Sequence, residues 1–271
     1  MDAPGDPTNV DPVAVALGTY LDAVDAAAPG LVEGLYVVGS YALDDWVPEH
    51  SDIDVVVLTS EPATDDDFAA LRAAHADLTE RQPRPCIDGP YLAWPDVIAA
   101  PATALHRPWT LDGELHHDGE CFEINPVTWY TLATYGVTVR GPTPDTLQVW
   151  LDLNDRIRFV IDNLHGYWAT LADDIERACR QQPDRVVDAS LFEWCALGAL
   201  RLHYTAFTGD VTSKRGAGEH GLTVAPKRFH DVLARALAAR RGKPVEVGVD
   251  EMAATAALTR WVIAEVDEAN S

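Results

Sequence analysis

The chain has 271 residues, enough for one large domain or two small ones. Hydrophobic residues make up 47% and charged residues 23%, a globular balance that excludes a disordered chain. Acidic residues number 43 against 20 basic, for a net charge of -23, which argues against nucleic acid as a partner and against an anionic membrane surface. The surplus fits a cationic partner or simply a very soluble surface.

The four cysteines (Cys86, Cys121, Cys179, Cys195) form no CxxC pair and are too few for a disulfide framework, so a reducing cytoplasm is expected. Residues 1–10 are acidic and lack an apolar run, so no signal peptide is expected there. No stretch approaches 18 apolar residues, so no membrane span is expected.

In chain order, Asp11-Pro12 reads as a helix start, with Asp as cap and Pro in the first turn. Val13, Leu17, Tyr20, Leu21 and Val24 then repeat at helical spacing up to Pro29-Gly30. Leu35 to Val38 reads as a short buried strand ending at Gly39-Ser40, and Asp52 to Leu58 as a second strand. A helix is expected over about Asp66 to Glu80, then a third strand from Cys86 to Trp94, interrupted by Gly89-Pro90. Cys121–Ile124 and Val137–Arg140 read as short strands with a helix between them. Gly141-Pro142-Thr143-Pro144 is strong punctuation, and beyond it the pattern turns helical. Four helical segments are expected: Leu151 to Leu171, Leu191 to Phe207, Phe229 to Ala239 and Met252 to Val266. Lys214 to Leu222 reads as a flexible, glycine-rich loop. The expected boundary lies near residue 146, with an α/β domain before it and a helical domain after it.

One constellation carries chemistry: Gly39-Ser40, then Ser51-Asp52-Ile53-Asp54. Glycine at a strand end lets backbone approach a phosphate closely. Residues i and i+2 of a strand share a face, so Asp52 and Asp54 present two carboxylates together while Ile53 and Val55 point inward. Two such carboxylates repel unless a cation lies between them, and Mg²⁺ is the hard cation expected for oxygen ligands and a triphosphate. The pair His116-His117 with Asp118 and Glu120 matches no zinc spacing. P-loop and hydrolase-elbow motifs do not occur.

Gly39-Ser40-Tyr41-Ala42-Leu43-Asp44-Asp45-Trp46, followed by Pro48, Ser51, Asp52, Ile53 and Asp54, resembles the signature of the polymerase-β-like nucleotidyltransferases. Within that superfamily the chain is most similar to the aminoglycoside 3''-adenylyltransferases, the streptomycin and spectinomycin resistance enzymes. Val137 to Pro142 resembles the strand closing that family's catalytic domain. Arg201-Leu202-His203-Tyr204, Thr208-Gly209-Asp210-Val211 and Ser213-Lys214 resemble a stretch of its helical domain. The likeness covers most of residues 35–240 and is loose between about 60 and 130.

The resemblance implies an α+β fold: a nucleotidyltransferase domain at 1–146, with a mixed sheet and flanking helices, and an all-helical bundle at 147–271 that closes on nucleotide and substrate. It implies an active site in the cleft between them, and transfer of AMP from ATP to a hydroxyl of an aminoglycoside-like molecule with release of pyrophosphate. Asp52 and Asp54 would ligate Mg²⁺. Gly39, Ser40 and Ser51 would meet the nucleotide phosphates, and Arg201 and Lys214 the triphosphate. Asp88, in Cys86-Ile87-Asp88-Gly89, matches the family's catalytic Glu, one methylene shorter; it would serve as base and third metal ligand.

The acceptor side departs further. Gly113-Glu114 matches a family pair, but Leu115 follows where the family has Trp. Glu114, Asp184, Asp188 and Glu193 are the acids expected to meet substrate ammonium groups. Asn125 stands where the family has an acid. The chain is expected to act as a monomer. The other readings are a nucleotidyltransferase with a different acceptor, such as a metabolite or a protein hydroxyl, and a non-catalytic nucleotide-binding relative.

Overall fold

The computed structural model describes residues 11–48 and 50–270, so the acidic stretch 1–10 lies outside the described residues. The chain divides into two compact units, Met1–Leu151 and Asp152–Ser271. The division follows Leu151, a few residues beyond the expected boundary at 146. Each unit is built on its own core.

The first unit opens with α1 (Pro12–Ala27), capped by Asp11, whose side chain accepts from Val13 N–H. Next come β1 (Val32–Val37), the single turn α2 (Gly39–Ala42), β2 (Ile53–Thr59), α3 (Asp65–Arg81) and β3 (Ile87–Ala93). After them run the short α4 (Trp94–Val97), β4 (Trp109–Leu111), β5 (Glu114–His116), α5 (Pro126–Tyr135) and β6 (Val137–Arg140). The strands form one mixed sheet in the order β5-β4-β3-β2-β1-β6. Among the described strands only β2 and β3 run parallel, joined by α3 as crossover.

Alternation along β2 explains both cores. Ile53, Val55 and Val57 pack with Val13, Leu17 and Tyr20 of α1 and Leu71 and Leu78 of α3. Val56 and Leu58 point to the other face, against Trp129 and Leu132 of α5. Asp54 sits two residues before Val56 and so shares that second face.

One expectation is corrected in this unit, and one hairpin is added to it. Cys121–Ile124 is a turn rather than a strand, closed by Ile124 N–H donating to the Cys121 carbonyl at 3.1 Å. Between β3 and α5, where no strand was expected before Cys121, lies the β4–β5 hairpin, whose turn residues Asp112 and Gly113 have φ of 52° and 78°. Paired positive φ is what a tight hairpin turn demands, and Asp-Gly supplies it.

The second unit is all helical: α6 (Leu153–Asn163), α7 (Ala169–Gln181), α8 (Ala189–Thr208), α9 (Lys214–Val224), α10 (His230–Arg240) and α11 (Val249–Ala269). A π-turn over Leu164–Trp168 links α6 to α7, so the expected single helix is longer and irregular at its middle. Lys214 to Leu222, expected to be a loop, is helix; Ser213 caps it by accepting from Gly216 N–H at 3.1 Å. Its glycines are there for space. A Cβ on Gly218 would lie 2.7 Å from Leu237 and 2.9 Å from Leu197, and one on Gly221 would lie 2.9 Å from Leu200. The core here joins Trp168, Phe192, Leu197, Leu200, Leu233, Met252 and Val262.

All four cysteines are free thiols. No described helix is long and apolar enough to cross a membrane.

Candidate active site

The parallel β2–β3 pair sets the site. Its register places Asp54 opposite Asp88 and Ile53 opposite Ile87. Because the strands run parallel, both acids lie at the start of their strands, at one end of the sheet.

Gly39 lets the preceding turn close onto this end. Its φ is 58°, and a Cβ there would lie 1.8 Å from Asp54 Oδ2. Only a residue without Cβ permits both the left-handed backbone and the approach of that carboxylate. Ser40 N–H points at the same Oδ2 across 3.4 Å. The loop from 41 to 52 is tied to itself: Ser51 Oγ accepts from Val47 N–H at 3.1 Å, and Trp46 Nε1 donates to the Asp52 carbonyl at 3.2 Å. Ser51 is buried by this role. Asp52 Oδ1 accepts from Arg84 Nη1 at 2.9 Å, an ion pair in contact with solvent.

Asp88 is 3% exposed and accepts from Gly113 N–H at 3.2 Å, so the β4–β5 turn fixes its carboxylate. Burial raises its pKa; hydrogen bonds from the Gly113 and Asp112 backbone lower it, and the charge of Asp52 raises it further. The sequence reading missed a fourth acid, Glu123. Burial pushes its pKa up to about 9, and the charges of Asp54, Asp88 and Asp52 add to the rise. Nothing in the spacing of the chain singles it out, because its acidic neighbours are brought to it by folding. Glu123 follows from the turn that replaced the expected strand, just before Asn125 caps α5 by accepting from Val127 and Thr128 N–H at 2.9 and 3.0 Å.

The site therefore gathers four carboxyl groups, and burial favours protonation of Asp88 and Glu123. Among the described residues no three His, Cys, Asp or Glu side chains converge closely enough to cage a metal ion. An oxygen-only donor set with surplus negative charge nonetheless fits Mg²⁺, which binds through one or two carboxylates and completes its shell with phosphate oxygens and water.

The remaining predicted residues are placed as follows. Glu114 is exposed at the start of β5. In the helical unit, Asp184 is exposed in the loop before α8. Asp188 caps α8, accepting from Ser190 N–H at 2.8 Å and Leu191 N–H at 3.3 Å. Glu193 is 5% exposed and ion-paired with Arg240 and Lys214. Arg201 is half-buried on α8, and Lys214 opens α9.

Comparison with known proteins agrees with both units. Residues 18–89 match the model of the nucleotidyltransferase domain. Residues 166–265 match the model of the C-terminal domain of aminoglycoside adenylyltransferases. No curated protein sequence matches the chain. Among solved structures the chain is similar in fold to the spectinomycin adenyltransferase AAD(9) from Enterococcus faecialis, solved with ATP and spectinomycin. The TM-score is 0.66 at 14% identity, covering 93% of this chain and 98% of that one.

Proposed function

We propose that this chain, which pairs a match to the nucleotidyltransferase domain with a match to the C-terminal domain of aminoglycoside adenylyltransferases, transfers AMP from ATP to a hydroxyl of an aminoglycoside-like cation and releases pyrophosphate. The observation that carries this reading is the pairing of Asp54 with Asp88 across β2 and β3, with Gly39 closed onto Asp54.

The roles follow from the chemistry of each group. Asp88 takes the proton of the acceptor hydroxyl as its oxygen attacks the α-phosphorus. The bond from that phosphorus to the bridging oxygen breaks, and pyrophosphate leaves. Burial raises the Asp88 pKa, so its carboxylate is a stronger base than a solvated one. Asp52 and Asp54 would hold Mg²⁺, with Asp88, opposite Asp54 across the strand pair, as a third carboxylate. When bound, the ion neutralises charge on the reacting phosphates. Gly39, Ser40 and Ser51 line the approach of the phosphates, whose negative charge Arg201 and Lys214 offset. Glu114, Asp184 and Asp188 are carboxylates suited to the ammonium groups of a cationic acceptor. A chain of net charge -23 attracts such an acceptor over long range.

The test is pyrophosphate release from MgATP with streptomycin, spectinomycin or plain polyols as acceptor. Asp54→Asn and Asp88→Asn should each lose at least about 100-fold in rate while remaining folded. Undiminished turnover in either variant would refute the reading.

A further inference from the structure

Glu193 is the fifth residue of α8 and lies inside the helical unit rather than on its surface. Its side chain is 6% exposed, that of Arg240 at the end of α10 is 4% exposed, and that of Lys214 at the start of α9 is 27% exposed. Glu193 Oε1 stands 3.3 Å from Arg240 Nη1 and 3.7 Å from Lys214 Nζ. One carboxylate is thus shared by two cations from two different helices. The trio carries one net positive charge, and the member nearest solvent is the lysine.

The helices around this trio are held closely enough for the geometry to be specific. Gly218 and Gly221 let α9 settle against leucines of α8 and α10, where a single added methyl would meet side chains at 2.7 to 2.9 Å. The start of α9 is fixed again by its Ser213 cap. A buried ion pair is a poor means of raising stability, since apolar side chains of similar volume do as well or better. It is a good means of fixing where a third charge sits.

We propose that the Glu193–Arg240 pair positions Lys214 for the nucleotide triphosphate, so that Glu193 acts through the lysine and does not meet the acceptor. This rests on the reading of Lys214 as a triphosphate contact. Arg240 cancels the charge of Glu193, and the carboxylate restrains a flexible ammonium in one place. Without the pair the lysine keeps its charge and loses this restraint, so ATP binding weakens before the chemistry does.

The experiment compares three variants: Lys214→Ala, the paired replacement Glu193→Leu/Arg240→Met, and the two combined. Replacing both partners avoids stranding a buried charge. The expected result for the paired variant is wild-type circular dichroism, a KM for ATP raised roughly tenfold, and kcat and acceptor KM within about twofold of wild type. Lys214→Ala should raise the KM for ATP at least as far. Adding the paired replacement to it should change that value less than about twofold, because both act on one contact. A wild-type KM for ATP in the paired variant, beside a raised one in Lys214→Ala, overturns this proposal alone. So do additive losses, or a rise confined to the acceptor KM. A wild-type KM for ATP in Lys214→Ala overturns the reading of the lysine and this proposal with it. If the Leu/Met pair does not fold, Glu193→Gln/Arg240→Met, which keeps side-chain length, is held to the same outcomes.

Discussion

Replacing Gly39 by alanine isolates what the turn does for Asp54. Two costs follow from the structure. Alanine must adopt φ near 58°, a left-handed conformation costing about 1–2 kcal/mol. Its Cβ would also fall 1.8 Å from Asp54 Oδ2, 2.5 Å from Cγ and 2.8 Å from Cβ, so the carboxylate must retreat by more than an ångström or the turn must open. Crowding of this kind costs about 1–3 kcal/mol more. The summed loss is about 2–5 kcal/mol, and displacing a reacting group by an ångström costs about 100-fold in rate. Gly30→Ala is the control: its φ is 78° but nothing lies within 4 Å of the new Cβ. It should lose only the backbone term, about 1–2 kcal/mol, and retain wild-type turnover. Urea unfolding measures the first quantity and pyrophosphate release the second. If Gly39→Ala loses no more stability than Gly30→Ala and turns over at the wild-type rate, Asp54 does not sit against that glycine or does not serve the reaction.

Acid should weaken both units. Burial lowers the pKa of His75 and His203 to about 4, so the folded state keeps them neutral while the unfolded chain protonates them at 6.5. Stability from each is complete above 6.5 and is lost as pH falls toward 4, by up to about 3 kcal/mol. Urea midpoints between pH 7 and 5 check this, and His75→Gln should flatten the profile of the sheet unit. In the helical unit, Gly198→Ala would put a Cβ 1.9 Å from Trp168 Cη2. It should cost about 1–3 kcal/mol despite alanine's better helix propensity, and Trp168→Phe in that background should recover part of the thermal midpoint.

Much of the sheet unit was legible because its signals are local. Asp11-Pro12 starts α1, Gly39-Ser40 ends β1, and the alternation through Asp52 to Leu58 defines β2 and the face its acids share. The β4–β5 hairpin escaped notice because strands of three residues carry too little periodicity, although Asp112-Gly113 is a turn signal in its own right. The start of α9 read as a loop because three glycines lower its helix propensity; the fold spends two of them on room for Leu197, Leu200 and Leu237. Glu123 and the Arg84–Asp52 pair were invisible for a different reason. Their partners come from distant stretches of chain, and no local pattern encodes that meeting. The same holds for Glu193: the sequence offered it as an acid for substrate ammonium groups, and only tertiary packing shows the arginine and lysine around it.

The parallel pairing of β2 with β3 also guards its own alignment. Sliding one strand past the other by a single position would turn Asp54 or Asp88 toward the opposite face of the sheet. That face is lined by Leu17, Leu71 and Leu78, an apolar surface on which a carboxylate is costly to bury. Mispaired chains are therefore penalised by the very acids proposed to do the chemistry, and these two carboxylates double as a proofreader of strand assembly.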